Sequence, residues 1–378
     1  MVGQRLAIVG AAEVRERPER RRLDEVVFEA SRAALSQAGV AATEVGYSAI
    51  ASLDLYDGRT ISNGIISPAA AGYLTSEMRF ELDSSTALVA AAATILARQT
   101  ELALVVAVHT PETRDTTTAQ LRAFADKVSS YTFEPHFTRP LGLSATSALA
   151  MHAAAAIEDG RTSREAMAAA AATAIGRGAK HSWAGRGART AKDILAEDIV
   201  AWPLSESMLP AESMGAVAVL FATESRARRT RGTLAWLTGW GSATTRALTD
   251  PLWVRDPFST TGEATRRALR QAGVADIGEG IDLVELTAFT PALEADARQA
   301  LGVPEGFHAE RINPAGGVLS TFPGFANGIL RVTQATRWLQ AQAGNTTQGR
   351  PGRALVHSMD NLMGPIASSA ATIVLEAA

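Results

Sequence analysis

The chain has 378 residues, 47% of them hydrophobic and 20% charged, with a net charge of −3 and no cysteine. This is enough apolar material for a large core, as two domains or one duplicated unit, and the near-neutral balance gives no support for binding nucleic acid or an anionic membrane surface. The missing cysteines exclude disulfides, thiolate metal sites and cysteine nucleophiles together.

From the start, Leu6–Gly10 reads as a buried strand, Leu23–Gly39 as an amphipathic helix closed by its glycine, and Ser48–Leu53 as a second strand. The opening apolar run is too short for a signal peptide and is followed by the charged segment Glu13–Arg22, so a cytoplasmic protein is expected. The runs Ala87–Ala97 and Leu102–Val108 are each far short of a bilayer span.

Arg79–Arg98, RFELDSSTALVAAAATILAR, is the stretch around which the rest is arranged. A short run ending in Phe80-Glu81-Leu82 meets the capping residues Asp83, Ser84 and Ser85 and then an Ala-rich apolar segment. The pattern predicts strand, sharp turn and buried helix. Such a turn gathers unpaired N–H groups and the positive end of a helix dipole at one point, where an anionic intermediate is stabilised.

The second half repeats the first. FEASRAALSQAGV (28–40) and GEATRRALRQAGV (262–274) share nine of 13 positions at a constant offset of 234. At the same offset Gly46 meets Gly280, and the next strand meets Ile281–Leu286. Helix, glycine stop and strand in one register indicate duplication. LAIVG has a counterpart in LAWLTG from Leu234, and the strand Leu104–His109 has one in Ala354–His357. The reading is two α/β units, residues 1–228 and 229–378, with helices between and outside two sheets. The arginine-rich joint Glu224–Arg231 reads as a solvated linker. A long insertion, about residues 110–203 and helical around Ala145–Ile157 and Arg164–Ile175, interrupts the first unit as a lid or binding subdomain.

Three motifs join the repeat and the insertion in pointing to a family: TAKDILAEDIVAWPL (190–204), MGAVAVLFATE (214–224) and INPAGGVLSTFPGFANG (312–328). In order and spacing they resemble the "DPL", "DGAAAVVL" and "NPSGG...GHPxGATG" segments of the thiolase superfamily, especially its lipid-transfer or sterol-carrier type. The resemblance covers essentially the whole chain. It implies the five-layer αβαβα thiolase fold, a coenzyme A thioester as substrate or ligand with no other cofactor, and a dimer paired through the strand before the central helix.

The same resemblance exposes departures at the family's catalytic positions. The acylated cysteine, on the loop before the central helix, falls on Glu81 or on Leu82 according to the anchor chosen. The histidine of "GHP" falls on Phe322. The second cysteine has no match in VHSMDNLMGP, near Met363, and the Asn-Glu or His-Asp pair before "AF" becomes Leu286-Thr287. Thiolytic or Claisen chemistry needs a thiolate and a base to form it, so ordinary thiolase activity is excluded.

The remaining candidates each carry two readings. Asn313, Gly316 and Gly317 match the loop that helps bind a thioester oxygen, or are turn chemistry; Phe322 joins them as a substrate-binding candidate. Glu81 is a catalytic acid or base if buried at the helix start, or an ion-pair partner of Arg79. Tyr131 and His136, in SSYTFEPHFTRP, line the acyl-CoA tunnel or pack within an aromatic loop. His109 and His357, at corresponding strand ends, lack metal-ligand spacing. His357, Ser358 and Asp360 lack the GxSxG elbow of a serine hydrolase.

Three functions follow from the resemblance. One is a noncatalytic or partner-dependent subunit that binds acyl-CoA or lipid, alone as a homodimer or with an intact thiolase. Another is a cysteine-free retro-aldolase acting on a β-hydroxyacyl-CoA with an OB-fold partner. The third is an acyltransferase or decarboxylase using Glu81.

Overall fold

The computed structural model describes residues 5–15, 21–72, 75–111, 117–181, 183–244, 257–341, 352–360 and 369–378. Met363 lies outside them. Apolar runs supply the strands β1 (Leu6–Arg15), β2 (Tyr47–Ala51), β3 (Ser76–Phe80), β4 (Leu102–His109), β5 (Ile199–Ala201), β6 (Leu204–Ser205), β7 (Gly215–Thr223), β8 (Ala235–Thr244), β9 (Leu283–Glu285), β10 (Arg353–Met359) and β11 (Ser369–Ala377). β5 and β6 pair separately; the others form one sheet in the order β3-β2-β4-β7-β1-β8-β11-β10-β9. LALVVAVH of β4 is buried along its whole length, as expected of a strand covered on both faces.

The sheet order displays the repeat. In the first half β3, β2 and β4 run parallel, followed by antiparallel β7 and β1. In the second, β9 and β10 run parallel, followed by antiparallel β11 and β8. The halves meet where β1 pairs with β8 over Leu6–Ile8. The counterpart of β3 is reduced to a single parallel bridge between Val284 and Ile312, because the glycine-rich loop begins there.

Helices fill the layers on either side. The helix Ser84–Leu96 packs on β2 and β4 of the first half and on β11 and β8 of the second, and Asn327–Ala341 packs on β10 and β11 and also on β7 and β1. These two form the central layer. Contact with both half-sheets explains why the first of them is apolar almost all round. The outer helices Leu23–Ala38 and Ser259–Ala272 cover β1 with β7 and β8 with β11 respectively. Helix, half-sheet, helix, half-sheet, helix gives five layers, the expected two sheets being the halves of one sheet continuous through β1 and β8. Each outer helix approaches its sheet over a glycine: a Cβ at Gly10 would overlap the Ala34 carbonyl oxygen, and one at Gly239 the Ala268 carbonyl oxygen. Ala34 and Ala268 are partners at the offset of 234, so the same close packing is built twice.

Two expectations need correction. β3 ends at Phe80, which leaves Glu81 and Leu82 in the turn, with Glu81 exposed. The joint at Glu224–Arg231 is not merely solvated. Arg226 is buried and pairs with Glu44 at 2.7 Å, and the Arg231 guanidinium donates to the Ser36 carbonyl at the end of the first outer helix. The arginines thus fasten the joint to the first half. No helix among the described residues is long and apolar enough to cross a membrane.

Candidate functional site

The two central helices begin at one point, and the residue that joins them is Asp83. As N-cap of Ser84–Leu96 it accepts from the Ser85 backbone N–H at 2.9 Å and from the Ser85 hydroxyl at 2.6 Å. Its other oxygen accepts from the Gly328 N–H at 3.0 Å, in the first turn of the second central helix. The Ser84 hydroxyl accepts from the Ile329 N–H. Gly328 is required there, since a Cβ would overlap the Asp83 carboxylate. Around this pair Asn327 donates to Thr287 and Ser358 at 2.9 and 3.3 Å, and the wholly buried Arg331 donates to Asn327 at 3.1 Å and to the Thr321 carbonyl at 2.5 Å. Burial pushes the Asp83 carboxyl up, opposed by its bonds to Ser85, Ser358 and Gly328. Asp83, Ser84, Ser85 and Asn327 are each at most 4% exposed. The anion-stabilising groups at both helix ends are therefore engaged by the protein's own carboxylate.

Beside this cluster, at the carboxyl ends of β2 and β4, lies a second polar group with the opposite character. Tyr56, in the short helix Asp54–Asp57 after β2, is fully buried, and its hydroxyl has no hydrogen-bond partner among the described residues. Its ring lies 4.9 Å from His109 at the end of β4, and 5.5 Å from both Phe124 and Phe325. His109 seats its ring over Gly324, where a Cβ would overlap it. Burial pulls the imidazole down to about 3, so it is neutral, and its Nδ1 has no partner among the described residues. Glu212 is placed by pairing of two loops: the Phe322 N–H donates to the Ala211 carbonyl at 2.8 Å and the Ser213 N–H to the Phe322 carbonyl at 3.0 Å. Burial first, and then the charge of Asp126, push Glu212 up to about 8. Tyr56 is pushed well above its usual range by burial and by the fields of Glu212, Asp360 and Asp126. Tyr56, Glu212, Asp126, Arg122 and Phe322 border a cavity of about 20 Å³. A carboxylic acid neutral at pH 7, a neutral imidazole and an unbonded phenol together can donate and accept protons without a net charge.

The residues singled out from the sequence are dispersed. Glu81 is exposed, and the Arg79 guanidinium goes instead to Asp54 at 2.5 Å and to the Ser62 hydroxyl at 2.9 Å. The buried acid at the helix start is Asp83, two residues on. Tyr131 is 56% exposed, with the Arg139 guanidinium 5.5 Å from its ring centroid, and His136 is exposed in a turn closed by the Glu134 side chain. Asn313 has φ 45°, and its side-chain oxygen accepts from the Leu286 N–H at 2.8 Å. Gly316 and Gly317 have positive φ in the same turn. The loop is built by turn chemistry, and Asn313 and Gly316 also line a cavity of about 170 Å³ with Arg177 and Arg298. Phe322 is buried, 5.5 Å from Phe289, and does border the Tyr56 cavity. The two strand-end histidines face different layers: His109 faces the central aromatics, whereas His357 bonds Thr261 of the outer helix at 3.0 Å. Among the described residues no three His, Asp or Glu side chains are grouped to hold a metal.

Tyr56 and Glu212 were not apparent from sequence. The available signal for Tyr56 was its place just after the carboxyl end of a parallel strand, where α/β folds put their sites.

No protein-family model and no curated protein matches the chain. Its architecture is that of solved thiolase-fold proteins. The Ltp2-ChsH2(DUF35) aldolase aligns at 17% identity over 99% of this chain and 98% of that one, with a TM-score of 0.76. A monomeric SCP2-thiolase-like protein type 1 from Mycobacterium smegmatis aligns at 16% over 99% and 77%, with a TM-score of 0.74. Human mitochondrial 3-ketoacyl-CoA thiolase aligns at 13% over 99% and 99%, also at 0.74. The chain has the thiolase fold.

Proposed function

We propose that this protein is a thiolase-fold subunit that binds a coenzyme A thioester or related lipid thioester without forming an acyl-enzyme, and that works in a complex. The observation that carries this reading is Asp83. A carboxyl group bonded to both helix starts fills the junction directly after Glu81 and Leu82, on which the resemblance puts the family's cysteine, and it is tied down on both oxygens. Acyl transfer through a protein thioester has no group to proceed on. The neighbouring cavity, about 20 Å³, is too small for a thioester chain, so the proposed complex is where a larger site is to be sought. Dependence on a partner is supported by exposed Met151, Ile199, Val200 and Trp202 on the insertion, whose helix Ala145–Glu158 packs on β5. One structural neighbour is an aldolase with a DUF35 component, and an OB-fold or DUF35 protein is the partner class to test. A homodimer through the exposed edge strand β3 fits the same reading.

A second reading, cleavage of a β-hydroxyacyl thioester, is favoured by the unbonded Tyr56 hydroxyl beside neutral His109 and Glu212. A base takes the proton of the β-hydroxyl, the Cα–Cβ bond breaks, and its electron pair moves into the thioester enolate. An acid then delivers a proton to Cα, releasing a carbonyl compound and a shorter thioester. Glu212, once ionised, serves as the base, and the Tyr56 phenol as the acid. The test is to purify the chain with its genomic neighbours and assay the complex on a β-hydroxyacyl-CoA. Cleavage abolished by Tyr56→Phe establishes the lyase. Micromolar binding without turnover establishes the binding subunit, and absence of both overturns the proposal.

A further inference from the structure

Another cavity, of about 220 Å³, lies where β1, the insertion and the second half meet. Glu285, at the end of β9, lines it and is 1% exposed, yet neither of its carboxylate oxygens has a hydrogen-bond partner among the described residues. The opposite charge it feels is Arg331, but that guanidinium is engaged elsewhere, on Asn327, on the Thr321 carbonyl and on Gln334 at 2.8 Å. Glu13 lines the same cavity. One of its oxygens holds Arg337, while the other has no partner among the described residues. Two carboxylates with unpartnered oxygens therefore line one cavity, the oxygens themselves lying beneath its accessible surface. Its remaining walls include the indoles of Trp183, which is 3% exposed, and Trp338.

A buried carboxylate without donors is costly, and the cost is removed by a group that brings donors and positive charge together. An ammonium group has only donors, and indole faces attract cations while their apolar area covers an alkyl chain. Arg337 is held by Glu13 and gives no hydrogen bond to Glu285. An anion would meet two carboxylates there, one of them already paired with Arg337.

We propose that this cavity is a binding site for a small primary alkylammonium ion, with its N–H groups on Glu285 and Glu13 and its chain against Trp183 and Trp338. It shares no lining residue with the Tyr56 cavity. Its occupancy does not depend on whether the chain acts on thioesters.

The test is titration of the full-length protein with n-butylammonium, read by tryptophan fluorescence and calorimetry, with 1-butanol and tetramethylammonium as controls. Saturable binding of butylammonium is expected in the micromolar to submillimolar range, at least tenfold tighter than either control. Glu285→Gln should weaken it at least tenfold and Glu13→Gln by less, with unfolding transitions confirming that both variants fold. Binding should weaken as pH falls below about 7, where burial has raised Glu285; Glu13, His181, Arg337 and Arg331 are the other charged or titratable groups facing it. Should Glu285→Gln fail to fold, Trp338→Leu replaces it, with loss of affinity expected and retained affinity counting against the site. No saturable signal, equal binding of 1-butanol, or full affinity in Glu285→Gln overturns the proposal.

Discussion

The Asp83 cluster and the Tyr56 cluster are neighbours in the middle of the molecule, both fully buried and both polar, and they differ in whether their bonds are made. At Asp83 a carboxylate is matched to donors from two helices, and Asn327 and Arg331 are bonded in turn. At Tyr56 a hydroxyl and a histidine nitrogen are left without partners among the described residues. A satisfied buried network rigidifies a core, whereas an unsatisfied one persists only where something else makes use of it. The first cluster thus reads as a structural bolt between the two central helices, and the second as the place where the proposed ligand chemistry is tested.

Substitutions test that contrast, beginning where the bolt is thickest. Asp83→Ala orphans the Gly328 and Ser85 N–H groups and the Ser358 hydroxyl, and should cost about 3 kcal/mol in urea unfolding. Gly328→Ala forces a Cβ into the Asp83 carboxylate and should cost roughly 2 kcal/mol, with little added loss in the Asp83→Ala background. The Tyr56 cluster should show itself in pH dependence. Glu212 keeps its proton in the fold up to about 8, while the unfolded chain releases it near 4.5. Folding takes up a proton between those values, so stability falls as pH rises through that window. Glu285, raised to about 7, adds to the same decline. His109 and His357, held neutral to about 3, act in the other direction, and stability falls as pH drops from 6.5 towards 3. In Glu212→Gln the unfolding midpoint should decline less between about pH 5 and 8.

Tyr56→Phe removes a hydroxyl that bonds to nothing described, so stability should change by less than about 1 kcal/mol while ligand-dependent activity is lost. An equally large loss of stability would make Tyr56 another bolt. The smallest effect on the fold is expected at the sheet edge. Met78, on β3, is 53% exposed, and Met78→Pro should weaken the proposed self-association in sedimentation with the helix content retained.

The repeat was legible because it is local: an outer helix, its glycine stop and the next strand recur in one register, and Ala34 and Ala268 meet equivalent glycines. The capping signal Asp83-Ser84-Ser85 was equally plain. Which acid is buried was less plain: Glu81 lies in the turn that follows Phe80, and only the second helix, far along the chain, shows that Asp83 is the acid joined to it. Glu212 and Tyr56 were hidden for a related reason. The pairing of Ala211 and Ser213 with Phe322 brings together loops whose sequences carry no mark of contact. Tyr131 and His136 had the right residue types for a site, but the Glu134 and Arg139 side chains close their loop at the surface.

The most direct test of the central claim is mass spectrometry of the protein exposed to an acyl-CoA, recorded first under native and then under denaturing conditions. A noncovalent complex that disappears on denaturation, leaving the unmodified chain mass, is the expected result. An acyl adduct that survives denaturation would contradict it, because a covalent acyl-enzyme would then form despite Asp83.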